Sequence, residues 1–408
     1  MQFFSFFHKD TKEFITFVVI FLSVLWEPIR TYVFPTDGGG RIVNVLTIIA
    51  IILNKEQLHY FSVIFKSPAF KVWLVLVLYS SINSLCKGYM GINEEISLYG
   101  FLRKSYIRPL LFLSITIIGL QINRDGCLML LLVSLLCYIL WGQLNPTESI
   151  GLRYMSALGN RIPLHAVACI FVALVLWLRN NLDKKILFLL CCVCFYVIMV
   201  AGTRKAFAAY VIVCLFAIIN KLGHMSFFKV LILFFISILL YWSIMFVIDN
   251  TLVGERIVHT AEKKQMYIVQ NEQFNHFLNT LWGDRTRMYI NGFGLFLEHP
   301  LTGIGLRNYI YISGDSHVLH TEYMVQLAEN GMIGFCIFVL FYIELFRDLK
   351  RMRIAKCLPI GIYHGGIIAV LFINFTAWTY NMTYVMVIYA IVLDYIYSNE
   401  SEHEDSNL

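Results

Sequence analysis

The feature that most constrains this chain is a succession of apolar runs with almost no charge. Each is close to the length a helix needs to cross the hydrocarbon core of a bilayer, about 20 residues. The runs centre on residues 14–30, 42–54, 70–86, 107–120, 127–141, 163–178, 186–201, 206–220, 227–248, 332–346, 358–375 and 383–397. Inside hydrocarbon no water is at hand for the backbone N–H and C=O groups, so a spanning segment must satisfy them internally. The expected fold class is all-α: a polytopic integral membrane bundle of about 12 helices with one large external loop. Composition agrees. Hydrophobic residues make up 59% of the 408 and charged residues 14%, against about half and about a quarter in a soluble domain.

Lysine and arginine placement orients such a bundle, because basic loops stay in the cytoplasm. The clearest basic loop is RDLKRMRIAK at 347–356. Placing it inside puts both termini in the cytoplasm. The chain then divides into nine spans over 1–248, a large periplasmic loop over 249–323, three spans over 324–397 and an acidic tail over 398–408, read as disordered. The N-terminal MQFFSFFHKDTK lacks a basic region followed by a small-residue cleavage site, so the first run reads as an uncleaved anchor. The loop is the one long polar stretch, and connections of about seventy residues are far beyond those of ordinary bundles and tend to be functional. It contains helical patches at NEQFNHFLNTLW and MYINGFGLFLEH. No internal repeat is visible, which argues against a secondary transporter. The net charge of +6 is too modest to suggest nucleic-acid binding. Most of the ten cysteines, including CCVC at 191–194, lie in apolar runs. They read as small hydrophobes rather than as metal ligands or a disulfide framework.

This topology leaves arginines on the unfavourable side of the membrane. Arg103, Lys104 and Arg108 fall in one external loop, Arg153 and Arg161 in another, and Arg204 in the short turn GTRKA. An arginine at the hydrocarbon edge is a functional hypothesis by default. Its guanidinium offers a fork of donors that matches phosphate oxygens, although Arg204 could also be a snorkelling side chain at a helix end. Arg285 and Arg287 repeat the pattern within the long loop, just before HPLTGIG, whose proline and glycines suit a tight turn. At HVLHTEYMVQLAENGMIGF, 317–335, two histidines and a stripe of Glu322, Gln326 and Glu329 stand against an apolar run. His320 and Glu322 would point apart on a continuous helix, but Thr321 could cap that helix with His320 just ahead of it. There a histidine would suit a general base. His317 and His320 could instead be ordinary interfacial residues, or metal ligands with Glu322, for which no third ligand stands at a convincing spacing.

Three pieces, GTRKA, GDRTRMYINGFGLFLEHPLTGIG and HVLHTEYMVQLAENGMIG, are similar in order and form to the O-antigen ligase and O-antigen polymerase superfamily of bacterial envelope polysaccharide assembly. The resemblance is specific over about 202–335 and only topological elsewhere. It implies an inverting, metal-independent glycosyltransferase of the bacterial inner membrane, working on the periplasmic face without a cofactor. The implied donor is an undecaprenyl-diphosphate-linked oligosaccharide. The acceptor would be a lipid-linked repeat unit for a polymerase or lipid A-core for a ligase. Implied protein partners are a flippase and a chain-length regulator. Carried over by position, Arg204 and Arg285 resemble the arginines that hold the donor diphosphate, and His320 the histidine that activates the acceptor hydroxyl. Arg287, His317, Glu322, Arg161 and Arg153 are expected to bind diphosphate or sugar. Thr321 departs from the pattern, where Asn is common. The polymerase reading is preferred on the HPLxGxG form. A lipid-linked oligosaccharide transporter is the alternative of another class.

Overall fold

The computed structural model describes residues 11–32, 38–55, 67–88, 107–144, 146–150, 153–156, 161–201, 203–222, 285–314, 319, 321–356, 361–375 and 382–404. Its helices are α1 (Thr11–Tyr32), α2 (Gly38–Leu53), α3 (Pro68–Lys87), α4 (Arg108–Ile122), α5 (Arg124–Leu144), α6 (Arg161–Leu178), α7 (Lys184–Val200), α8 (Arg204–Leu222), α9 (Arg285–Glu298), α10 (Tyr309–Ser313), α11 (Glu322–Lys356), α12 (Gly361–Asn374) and α13 (Thr383–Glu404). A helix occupies every apolar run read from the sequence except 227–248, which lies outside the described residues together with NEQFNHFLNTLW. Among the described residues three helices, Pro68–Lys87, Arg124–Leu144 and Arg161–Leu178, are long and apolar enough by themselves to cross a bilayer.

Two expectations need correction. The stretch holding Arg153 is not simply a loop: β1 (Pro146–Ile150) and β2 (Arg153–Ser156) pair antiparallel, with Thr147 opposite Met155 and Ile150 opposite Arg153. A short hairpin satisfies its own backbone in pairs, which an irregular connection at a membrane edge cannot do. The all-α reading therefore has this one exception among the described residues. The tail, read as disordered, instead continues α13 to Glu404.

Burial is inverted relative to a water-soluble protein. On α2 the side chains of Ile42, Val45, Ile49 and Ile52 are exposed, and on α3 those of Val75, Leu78, Ile82 and Leu85. Both sets follow a helical period, so each forms one continuous apolar stripe facing outward. Polar groups turn inward instead: Thr116, Ser134, His165, Glu322, Asn374 and Asp394 are buried. Hydrocarbon solvates the first set and not the second.

The helices share two ends. At one, Arg124 Nε meets Asp394 at 2.8 Å and Arg179 Nε meets Asp125 at 2.7 Å. Ser67, whose hydroxyl caps α3 by accepting from Phe70 N–H at 3.0 Å, lies there beside Asp348. At the other end α3 finishes at Gly88, whose carbonyl accepts from Asn308 Nδ2 at 2.8 Å. Helix α11 packs along α3, and α8 along α12. A β-carbon on Gly365, early in α12, would press on Phe216, late in α8. Those helices therefore run antiparallel, and the Arg204 end of α8 lies with the Asn374 end of α12.

Candidate active site

Helix α11 is broken where it meets the loop. Gly331 sits at φ 67, ψ −170, outside helical geometry, and the backbone groups this releases are met by HPLTGIG. Ile304 N–H donates to the Ala328 carbonyl at 3.0 Å, and Gly305 N–H to that of Glu329 at 2.8 Å. Met332 N–H in turn donates to Pro300 O at 2.8 Å, and Ile333 N–H to Leu301 O at 3.2 Å. Helix α3 covers what remains: Asn83 Nδ2 donates to Thr302 O at 2.7 Å and Tyr79 Oη to Asn330 O at 2.9 Å. The two glycine-bearing motifs, distant in sequence, are thus halves of one interlock. Non-helical backbone at membrane depth persists only where protein buries it.

Before the break, Gln326 Nε2 donates to Glu322 Oε1 at 2.7 Å and Asn330 Nδ2 to Gln326 Oε1 at 2.9 Å. The polar stripe expected from sequence is therefore a buried i, i+4 ladder whose third member is Asn330 rather than Glu329. Glu329 accepts from Arg307 N–H at 2.8 Å. Thr321 Oγ1 donates to Asn374 O at 3.1 Å, so it ties the start of α11 to the end of α12.

Not every expected site residue falls within this description. His317 and His320 lie outside the described residues, as do the side chains of Arg153, Arg204, Arg285 and Arg287. Their elements can still be followed. Arg204 opens α8, preceded by the buried Thr203, and Arg285 opens α9. A β-carbon on Gly292 of α9 would stand 3.1 Å from Leu319 and 3.0 Å from Met324. Helix α9 is therefore seated on Leu319 and the first turn of α11, and Tyr309 Oη anchors it through Met288 O at 3.1 Å. The starts of α8, α9 and α11 share one end of the molecule.

That end also holds a cavity of about 160 Å3, lined among others by Arg108, Arg161, His165, Arg307, Asn44 and Tyr384. Arg161, an expected substrate-binding residue, is among them. Arg307, whose N–H donates to Glu329, lines it as well, so the cavity adjoins the buried polar stripe of α11. Arg307 and His165 escaped the sequence reading. A histidine within an apolar run, as at His165, is a flag for a buried polar group but not for a cavity, and Arg307 sits in a polar loop like any solvated arginine.

No curated protein matches the chain. The O-antigen ligase family model matches residues 186–339, which run from the start of α7 through the first turns of α11 beyond Gly331 and take in the interlock. The match and the apolar helices together make this a bacterial integral membrane protein. Over that matched stretch the chain is similar to the O-antigen ligase family, the superfamily that its three motifs resemble.

Proposed function

We propose that this protein polymerises surface polysaccharide, passing a glycan from undecaprenyl diphosphate to a hydroxyl of a second lipid-linked repeat unit. The observation that carries the reading is the coincidence of the family match with a single end of the molecule. Arg204 opens α8 and Arg285 opens α9, α9 packs on the start of α11, and an arginine-lined cavity lies at the same end.

In this mechanism the acceptor oxygen attacks the anomeric carbon, the bond from that carbon to the diphosphate breaks, and undecaprenyl diphosphate leaves. His320 takes the hydroxyl proton, and the configuration inverts. The guanidinium groups of Arg204 and Arg285 stabilise charge developing on the leaving diphosphate, as fixed cations do in a site shielded from water. They need no metal for that. Arg287, His317, Glu322 and Arg153 hold the donor's diphosphate or sugar, and Arg161 lines the cavity beside them. The basic Arg347 end faces the cytoplasm of the inner membrane, with both termini, and the Arg161 end faces the periplasm. A ligase acting on lipid A-core fits the same match and differs only in acceptor.

Purified protein given a lipid-diphosphate-linked repeat unit as sole substrate should build a ladder of longer lipid-linked glycans. His320→Ala, Arg204→Ala and Arg285→Ala should each lower the rate by at least about 100-fold, and EDTA should leave it unchanged. Activity that appears only when lipid A-core is supplied would make the protein a ligase. Movement of the lipid-linked sugar across a bilayer without transfer would make it a transporter.

A further inference from the structure

Polymerisation needs two lipid diphosphates at once, and the arginines assigned to the donor account for one. The cavity at the same end supplies what a second would need. Three of its lining residues are arginines and none is aspartate or glutamate. Three guanidinium groups around one space, with no lining carboxylate, favour an anion there. The cavity is also fed by backbone donors. Arg108, Arg161 and Thr383, the first residues of α4, α6 and α13, all line it, so three helices turn their positive ends toward it.

Two side chains show that the space is built rather than incidental. His165 is 1% exposed, its Nδ1 lies 2.8 Å from Arg161 O and its ring stacks on Tyr138 at 3.7 Å. Its Nε2 is buried without a hydrogen-bond partner, although the residue lines the cavity. A buried ring nitrogen left unmatched costs free energy unless a ligand meets it. Arg307 holds a left-handed backbone, φ 62, which is strained for any residue but glycine. The Glu329 carboxylate on its N–H and the Gly303–Gly305 turn keep it there, with its side chain at the cavity. Strain of this kind persists where the surroundings over-determine it, and it collects at ligand sites.

We propose that this cavity binds the diphosphate of the lipid-linked acceptor, separately from the donor diphosphate, a reading that rests on the polymerase function above. Arg108, Arg161 and His165 all precede the matched residues 186–339, so they stand apart from the donor chemistry which that stretch shares with the ligases. Val43, Leu111, Phe112 and Met386 form an apolar wall beside the arginines, suited to the first isoprene units of a polyprenyl chain.

Native mass spectrometry of the full chain in detergent tests this with a short polyprenyl diphosphate, inorganic pyrophosphate and the polyprenyl alcohol. The wild type should bind two molecules of the diphosphate lipid and none of the alcohol. R161Q/R307Q should keep one, and its second affinity should fall at least tenfold. Arg161→Lys, which keeps the charge, should lose less. Retention of the first lipid shows that the variant is folded. A wild type that saturates at one lipid, or a double variant that still binds two, overturns the proposal. Pyrophosphate filling the second site as tightly as the lipid does would overturn the lipid as its source. The two readings fail separately. A wild type that binds two lipids yet transfers no glycan sinks the polymerase and leaves the site. One that builds a ladder yet binds a single lipid does the reverse.

Discussion

Glu329 holds the turn that carries Arg307. It is 4% exposed and accepts from Arg307 N–H at 2.8 Å. Glu329→Gln keeps an oxygen for that N–H, whereas Glu329→Leu leaves it unmatched and should cost about 1–3 kcal/mol more. Thermal unfolding in detergent checks this; equal midpoints for the two variants would show that Glu329 does not hold the turn. At this scale the sequence marked Arg161, Arg204, Arg285, His320 and Glu322 as chemistry-bearing. It missed His165 and Arg307, because a single histidine in an apolar run and an arginine in a polar loop look alike whether or not a cavity adjoins them.

The element that decides the site is the meeting of HPLTGIG with the break in α11. Gly303 has φ +66, and a β-carbon there would stand 2.6 Å from the Glu329 carbonyl oxygen and from Gly331 N. The obstruction is backbone on a locked partner, so it cannot swing aside. Gly303→Ala should cost about 3 kcal/mol or more, since the left-handed conformation and the clash add. Thermal unfolding in detergent checks this, and an unchanged midpoint would mean that the interlock does not carry the loop. The proline and glycines announced a turn in the sequence. That the turn's partner would be the AENG segment, more than twenty residues on, could not be read there. Backbone hydrogen bonds between distant segments leave no mark on side-chain pattern beyond the glycines they require.

The whole molecule is a bundle whose apolar stripes face outward, with Arg347 and Arg351 at one end and the arginine-lined cavity at the other. If the Arg347 end is cytoplasmic, Glu298→Cys should react with a membrane-impermeant maleimide in cells whose outer membrane alone is opened. Lys350→Cys should react only once the inner membrane is breached as well. Both residues are exposed, and both variants would be made in a chain whose native cysteines are replaced by alanine. The opposite pattern would invert the topology.

The sequence by itself determined that the chain is a helical membrane protein, and which runs are helices among the described residues. It did so because hydrocarbon imposes one length and one composition on any segment that enters it. It also marked the motifs shared with the family. The tertiary structure alone decided that α4, α6, α13 and the GIGLRN turn would bring Arg108, Arg161, Arg307 and His165 around one cavity. Which helix neighbours which depends on ridge-and-groove packing and on a few buried polar bonds, and one lipid-facing stripe looks much like another in sequence.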